Sequence, residues 1–487
     1  MTGVRRLLLS LLLAVPTAVA ATPTSTSGVS VLPPAPAASV RRARDLRRVA
    51  PPSPRGGGGV QLPTGVAAAS FYVAFDAALR AVFSKTGIKF PSMVAGCVGL
   101  FAAMAAAEAI VPGAGDAVSN ALTPGSALLA KWMPAFFVPG LVMLPTAPSL
   151  GSAGEVIKVL SVVVLGFFFS LYTTAFSVLG LRKLQGADVS IPGMIAGGSG
   201  PATKPYSADT AKFLTSAALI LFPISIGCSL KGGPLEAPAR TAFLGAATLC
   251  TYVYGARLPP AFVKIVHPLM VSTALTLLAI RGLAAATGAT FDSVLGAYKC
   301  GKMWSADAGA GDVLLYLLGP SVQAFSIAMY GRRKLMASNF ATMALAALVS
   351  AGGGLFATAA FVRLIRMASG VARISVLPRN VTTALAIAIS QILEGNIAIT
   401  ASVVVLTGVF AATVGGAALD AVKIKDPITR GLAIGSAGQG LGVASFMGET
   451  DAFPFAAIAM ICTAIGATCL VSVPAIKDAL LAIAGGN

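Results

Sequence analysis

Long apolar runs, broken at short intervals by charge, proline or glycine, constrain this chain more than any other feature. Such runs lie near 66–83, 91–111, 127–146, 156–180, 211–229, 241–256, 261–282, 313–330, 339–362, 378–393, 397–418, 428–447 and 453–475. A helix needs about 20 predominantly apolar residues to span a bilayer, so the pattern predicts an all-α polytopic membrane protein with 12–13 transmembrane helices. Composition agrees. Only 11% of the 487 residues are charged and mean hydropathy is +0.85, against roughly a quarter charged in a soluble domain. The 53 glycines and 30 prolines would trouble soluble helices but are tolerated in membrane ones. A piece at 289–301 reads as a short or re-entrant helix.

The formal charge of +18 would suit a nucleic-acid binder, but so apolar a chain offers no soluble face for one, and no nucleic-acid partner is expected. Eight of the arginines fall before residue 60 with one acid, Asp45. Met1–Ala20 has the layout of a signal peptide: Arg5-Arg6, an apolar core, then Ala18-Val19-Ala20. Thr22–Gly59 is rich in Ser, Thr, Pro, Ala and Arg, the composition of a transit peptide. Together, 1–60 read as a cleaved bipartite import signal for a plastid; a secretory signal with a linker is the alternative. Residues 61–182 form a four-helix membrane unit and 183–210, with Pro192, Pro201 and Pro205, a linker. A larger unit follows over 211–487. Basic loops fall on consecutive sides of the spans, so charge gives little vote on orientation.

Enzyme chemistry finds little footing. His267 is the one histidine and the six cysteines include no CxxC pair, so neither a metal nor a cofactor is expected. No nucleophile–base pair or phosphate loop is visible either. Three stretches depart from plain apolar helix. Gly319-Pro320 opens a segment carrying Gln323 and Ser326. Leu377-Pro-Arg-Asn-Val-Thr-Thr383 places Arg379, Asn380, Thr382 and Thr383 at a predicted helix start with Pro378 in its first turn. Asp426-Pro427 leads into Gly435-Ser-Ala-Gly-Gln-Gly-Leu-Gly442, holding Ser436 and Gln439.

A helix that begins inside a membrane presents free N–H groups and a positive dipole end to an anion. With a guanidinium, an amide and two hydroxyls beside it, 378–383 has the parts of a carboxylate site. Arg379 reads equally well as an interfacial anchor, and Gly435–Gly442 as a packing seam. Glu394 and Asn396 read as a helix-ending turn, Glu449 and Asp451 as solvated loop charges, and Asp76 with Arg80 as a local i,i+4 ion pair. Substrate-binding candidates are therefore Arg379 for the carboxylate, Asn380, Thr382 and Thr383 for hydrogen bonds, Ser436 and Gln439 opposite, and Gln323 and Ser326 in the same cavity.

These motifs resemble a family. Residues 255–480 are similar to LrgB-type membrane proteins through Leu318-Gly-Pro-Ser-Val-Gln-Ala, Leu377-Pro-Arg-Asn-Val-Thr-Thr-Ala-Leu-Ala386, Thr407-Gly-Val-Phe, Asp426-Pro-Ile-Thr-Arg-Gly-Leu-Ala433 and glycine-rich Ser436–Ala444. Residues 66–182 resemble the LrgA-type partner through Phe90-Pro-Ser-Met-Val-Ala-Gly96 and Phe136-Phe-Val-Pro-Gly-Leu-Val142. Fusion of the two behind a transit peptide resembles the plastid branch of the family. That resemblance implies a secondary transporter of glycolate and glycerate, small 2-hydroxy carboxylates, across the plastid inner envelope, serving photorespiration. It leaves open a holin-like pore or regulator of envelope integrity, a carrier of pyruvate or other short monocarboxylates, coupled protons and a homodimer.

The chain departs from the family pattern at two places. His267-Pro268 stands where the family carries Asn before proline. In the glycine-rich helix, Gln439-Gly-Leu-Gly-Val-Ala444 replaces a pattern with His and Thr, which puts Gln439 and Val443 there instead. Gln hydrogen-bonds but does not titrate near pH 7.

Overall fold

The structure is a computed structural model. It describes residues 61–485 except 89, 147–151, 191–205, 264–265, 304, 306 and 447. The leader expected over 1–60 and most of the linker at 183–210 lie outside the described residues.

The described chain is helical throughout its length. In order come α1 (Gln61–Thr86), α2 (Ser92–Ile110), α3 (Ala114–Thr146, irregular beyond Phe136), α4 (Ala153–Leu184), α5 (Ala208–Lys231), α6 (Glu236–Arg257), α7 (Pro268–Thr287) and the short α8 (Phe291–Tyr298). Then follow α9 (Ala310–Gly331), α10 (Phe340–Leu364), α11 (Gly370–Ser375), α12 (Thr383–Ile392), α13 (Ile397–Ala421), α14 (Pro427–Ser445), α15 (Phe453–Ser472) and α16 (Pro474–Ala484). The eight-residue α8 lies within 289–301, the stretch expected to be short or re-entrant.

Ten of these helices are long and apolar enough to cross a membrane. Three of the thirteen apolar runs do not supply such a helix, each for a physical reason. The 241–256 run falls in α6, which is of spanning length but carries Glu236, Arg240, Arg257 and several threonines. The 378–393 run is helical only from Thr383. The 428–447 run lies in α14, whose helix breaks at Gln439 with φ 45° and ψ −149°.

That break folds α14 back on itself. A Cβ on Gly442 would lie 3.3 Å from the Ile434 carbonyl oxygen, a contact that residues eight apart on a straight helix, about 12 Å of rise, could not make. Arg430, near the start of α14, pairs with Glu449 just past its end. Gly431 and Gly435 let the first arm of α14 lie close against the start of α15, because a Cβ at either would collide with the backbone of Ala452 or Ala456.

A second hairpin is built by α11, the turn 376–382 and α12. It enters from the end of the bundle where Lys158 of α4 donates to the Arg366 carbonyl and Glu155 accepts from the Ala368 amide. It returns to that end, where Asn396 N donates to Ser375 Oγ. The α14 hairpin enters from the opposite end, where Arg182 at the other terminus of α4 pairs with Asp426. Between the two hairpins α13 runs the full length, with Asn396 capping its start and Asp420 near its end bonded to Arg430.

α4 packs against α10, α13 and α14. The fourth helix thus packs among helices of the C-terminal half, while α1–α3 pack on α9. Ridge-and-groove contact of this kind favours small residues, which α13 and α14 supply in quantity.

Candidate functional site

The tips of the two hairpins meet at the centre of the bundle. Turns at 376–381 are closed by Arg379 N to the Val376 carbonyl and Val381 N to the Pro378 carbonyl. Thr382 then takes the N-cap position and α12 begins at Thr383. Pro378 is therefore not in the first turn of α12, as the sequence suggested. It sits four residues before the cap, because the chain needs an irregular tip to reverse direction.

Arg379 is among the most deeply buried large side chains, 1% exposed, and so is no interfacial anchor. Its Nε donates to Thr358 Oγ1 of α10 at 3.1 Å and its Nη2 to Ser170 Oγ of α4 at 2.9 Å. Nη1 has no partner, and among the described residues no carboxylate pairs with this guanidinium. Room for it is made by Gly166, one turn before Ser170, where a Cβ would fall 2.3 Å from Nε. Burying a charge without a counter-charge is expensive, so the two hydroxyls hold in place a cation whose compensation is missing.

Asn380 turns the other way. Its Nδ2 donates to the Ser350 carbonyl at 3.2 Å and, at 3.4 Å, to the carbonyl of Ser436 in the opposite hairpin. Ser350 Oγ, in a widened turn of α10 (Val349–Gly353), also donates to the Ser436 carbonyl. Ser436 Oγ accepts from Thr463 of α15. Thr382 Oγ1 is buried without a partner, and Thr383 is buried at the head of α12, whose first-turn N–H groups face the same tip. Gln439 occupies the turn of its hairpin in a left-handed backbone conformation that costs a non-glycine residue strain. Its Nε2 is held by the Val404 carbonyl of α13.

Asn380 and Ser436 thus join the two tips, with Arg379, Thr382 and Thr383 beside Asn380 in one and Gln439, held on α13, three residues past Ser436 in the other. Gln323 and Ser326 lie elsewhere on α9. Gln323 Nε2 donates to Asp76 Oδ1 of α1 at 2.9 Å, and Asp76 Oδ2 accepts from Arg80 Nε at 2.5 Å, the i,i+4 pair expected from the sequence. Gln323 Oε1 and Ser326 Oγ have no partner. A small apolar cavity lined by Cys97, Val322, Phe325, Thr382, Leu385 and Ile461 lies between this cluster and the head of α12.

Ser170, Thr358 and Ser350 escaped the sequence reading. Gly166 and Ser170, four apart and thus on one face of an apolar helix, were the available signal. Two further readings change. Glu449 is no free loop charge, since both its oxygens accept from Arg430 although its side chain stays 26% exposed. Asn396 does cap a helix, but it is the start of α13.

The model of the LrgB-like family matches residues 248–476, which include both hairpins. The plastidal glycolate/glycerate translocator 1 of Arabidopsis thaliana is 32% identical over 416 residues, covering 85% of this chain and 79% of that protein. No solved structure matches the chain. By its family match and the identity and length of this alignment, the chain belongs to the LrgB-like family of membrane proteins, in company with the plastidal glycolate/glycerate translocator.

Proposed function

We propose that this protein is a secondary transporter of small 2-hydroxy carboxylates, glycolate and glycerate, in the plastid inner envelope. The buried, acid-free guanidinium of Arg379 carries the reading. A carboxylate placed against Nη1 would supply the missing counter-charge, with the Thr382 hydroxyl and the head of α12 as further donors. The relative's plastidal name and the leader's composition support the location.

Two hairpins entering from opposite ends and touching at Asn380 and Ser436 give the site one barrier toward each side. Withdrawal of either tip opens it to that side alone, the arrangement an alternating-access carrier needs. Loading neutralises Arg379, whereas an empty return carries an unpaired charge through the protein. Exchange of one carboxylate for another is therefore faster than net export.

The test is uptake of labelled glycolate into liposomes holding the purified protein. Uptake should saturate and rise when unlabelled glycerate is trapped inside, and Arg379→Ala should bring it to the level of empty vesicles. No flux through the wild type would refute the substrate, and undiminished flux through Arg379→Ala the site.

A further inference from the structure

Arg379 answers for a carboxylate, but the second orphan at the same tip asks for a different group. Asn380 is 2% exposed and its Oδ1 has no partner. The amide cannot simply turn over to satisfy it. Two of the atoms that meet its other end are the carbonyl oxygens of Ser350 and Ser436, which only accept. The nitrogen must face them, and the oxygen is left pointing away.

The two orphans are neighbours along one helix. Arg379 Nε rests on Thr358, and Asn380 packs over Gly354, where a Cβ would fall 2.7 Å from Nδ2 and 3.1 Å from Oδ1. Gly354 and Thr358 are four residues apart on α10, about 6 Å along the axis, and Thr358 Oγ1 donates to the Gly354 carbonyl. The free donor of Arg379 and the free acceptor of Asn380 thus belong to adjacent residues whose side chains rest one turn apart on the same helix. The carboxylate of a ligand has only acceptors to offer, so the proton for Asn380 must come from the atom beside it.

We propose that Asn380 is the specificity-determining residue of the site, accepting a hydrogen bond from the substrate's 2-hydroxyl and thereby rejecting 2-oxo acids. A 2-oxo acid would set its carbonyl oxygen against Oδ1, two acceptors facing each other with no water to separate them. Sites built around a substrate hydroxyl reject analogues lacking it far more strongly than apolar pockets reject a change of size. The inference rests on the carrier reading above and narrows it, setting pyruvate outside the preferred substrates.

Lactate and pyruvate share a carbon skeleton and differ at this one group, so they are the probes. Full-length protein in liposomes loaded with unlabelled glycolate is given labelled glycolate outside, with either acid as competitor. In the wild type, half-inhibition should need about tenfold or more pyruvate than lactate. Asn380→Ala should bring the two competitors level while exchange, driven by Arg379, persists at a lower rate. Gly354→Ala, which displaces the amide without removing it, should narrow the ratio in the same direction and serves if Asn380→Ala does not fold. Equal competition in a wild type that exchanges glycolate overturns the assignment, as does an unchanged ratio in the variants. A wild type that exchanges no glycolate at all removes the carrier reading, and this one with it.

Discussion

Arg379 and Asp76 are both buried ionisable groups on membrane helices, and they are built in opposite ways. Asp76 has its counter-ion four residues along the same helix, an amide from Gln323 on its other oxygen, and glycines opposite it. A Cβ on Gly319 would strike the Asp76 carboxylate and Arg80, and one on Gly96 would strike Gln323. Arg379 has glycine opposite it too, but only hydroxyls as partners and one nitrogen left over. Arg80 is 39% exposed and so remains in contact with its surroundings, whereas Arg379 is sealed. On the function proposed above, the difference separates a charge that holds helices together from one that waits for a ligand. Coulombic compensation supplied within the protein makes a joint between α1 and α9. Compensation left out at Arg379 is what the proposed carboxylate would supply.

The sharpest way to break this comparison is to disturb Arg379 without removing it. Gly166→Ala puts a methyl group 2.3 Å from Nε, well inside contact distance, on the rigid backbone of α4. The guanidinium must move off Thr358 and Ser170. Each of these bonds to a charged group is worth about 1.5–3 kcal/mol, so half-saturation of glycolate uptake should rise by about tenfold or more. Concentration-dependent uptake checks it. An unchanged half-saturation constant would mean that the carboxylate does not meet Arg379 at all.

The corresponding change at the other cluster should act on stability instead. Asp76→Asn keeps an acceptor for Gln323 but releases Arg80, which can reach solvent or headgroups. Loss of the ion pair in this partly buried setting should cost about 1–3 kcal/mol and lower the thermal midpoint in detergent. Uptake per folded molecule should stay within about twofold of the wild type, well under the 1.4 kcal/mol that a tenfold effect represents. If Asp76→Asn instead silences transport while leaving the midpoint alone, the two clusters form one functional unit.

How much of this was legible in the sequence follows from the same contrast. Helical class and spans are written in hydrophobic runs, which report on local burial and need no knowledge of neighbours. The tip residues 379–383 stood out because arginine and asparagine are expensive in an apolar run. What surrounds them could not be read. Ser170 and Gly166 lie more than two hundred residues before Arg379, on a helix that the sequence assigns to another unit. Ser350 and Thr358 look like ordinary helix hydroxyls, and many such groups do only bond their own backbone, as Thr407 and Thr468 do here. Gln323 illustrates the converse. Its polarity flagged it correctly as a buried polar group, but only tertiary packing decided that its partner is Asp76.

The smallest expected effect concerns pH, and it locates acid sensitivity outside both clusters. His267 caps α7, its Nδ1 accepting from the Leu269 amide at 3.3 Å. Burial pushes its pKa down from 6.5 to about 4, because the protonated ring loses both hydration and its acceptor role. The unfolded chain therefore binds a proton between pH 6.5 and 4 that the folded chain does not, and stability falls as the pH drops through that window. Below about pH 4 both states are protonated and the loss is complete. His267→Asn retains a side-chain acceptor suited to an N-cap and has nothing to titrate. Thermal midpoints of the two proteins should differ little at pH 7.5 and diverge by a few degrees at pH 5, with the variant the more stable. Glycolate uptake per folded molecule should follow the same pH curve in both, since neither Arg379 nor its partners contact this cap. Parallel midpoints over pH 7.5–5 would show that His267 is charged in the folded protein. A change in the pH curve of uptake alone would tie this cap to the hairpin tips and blur the line between scaffold and site.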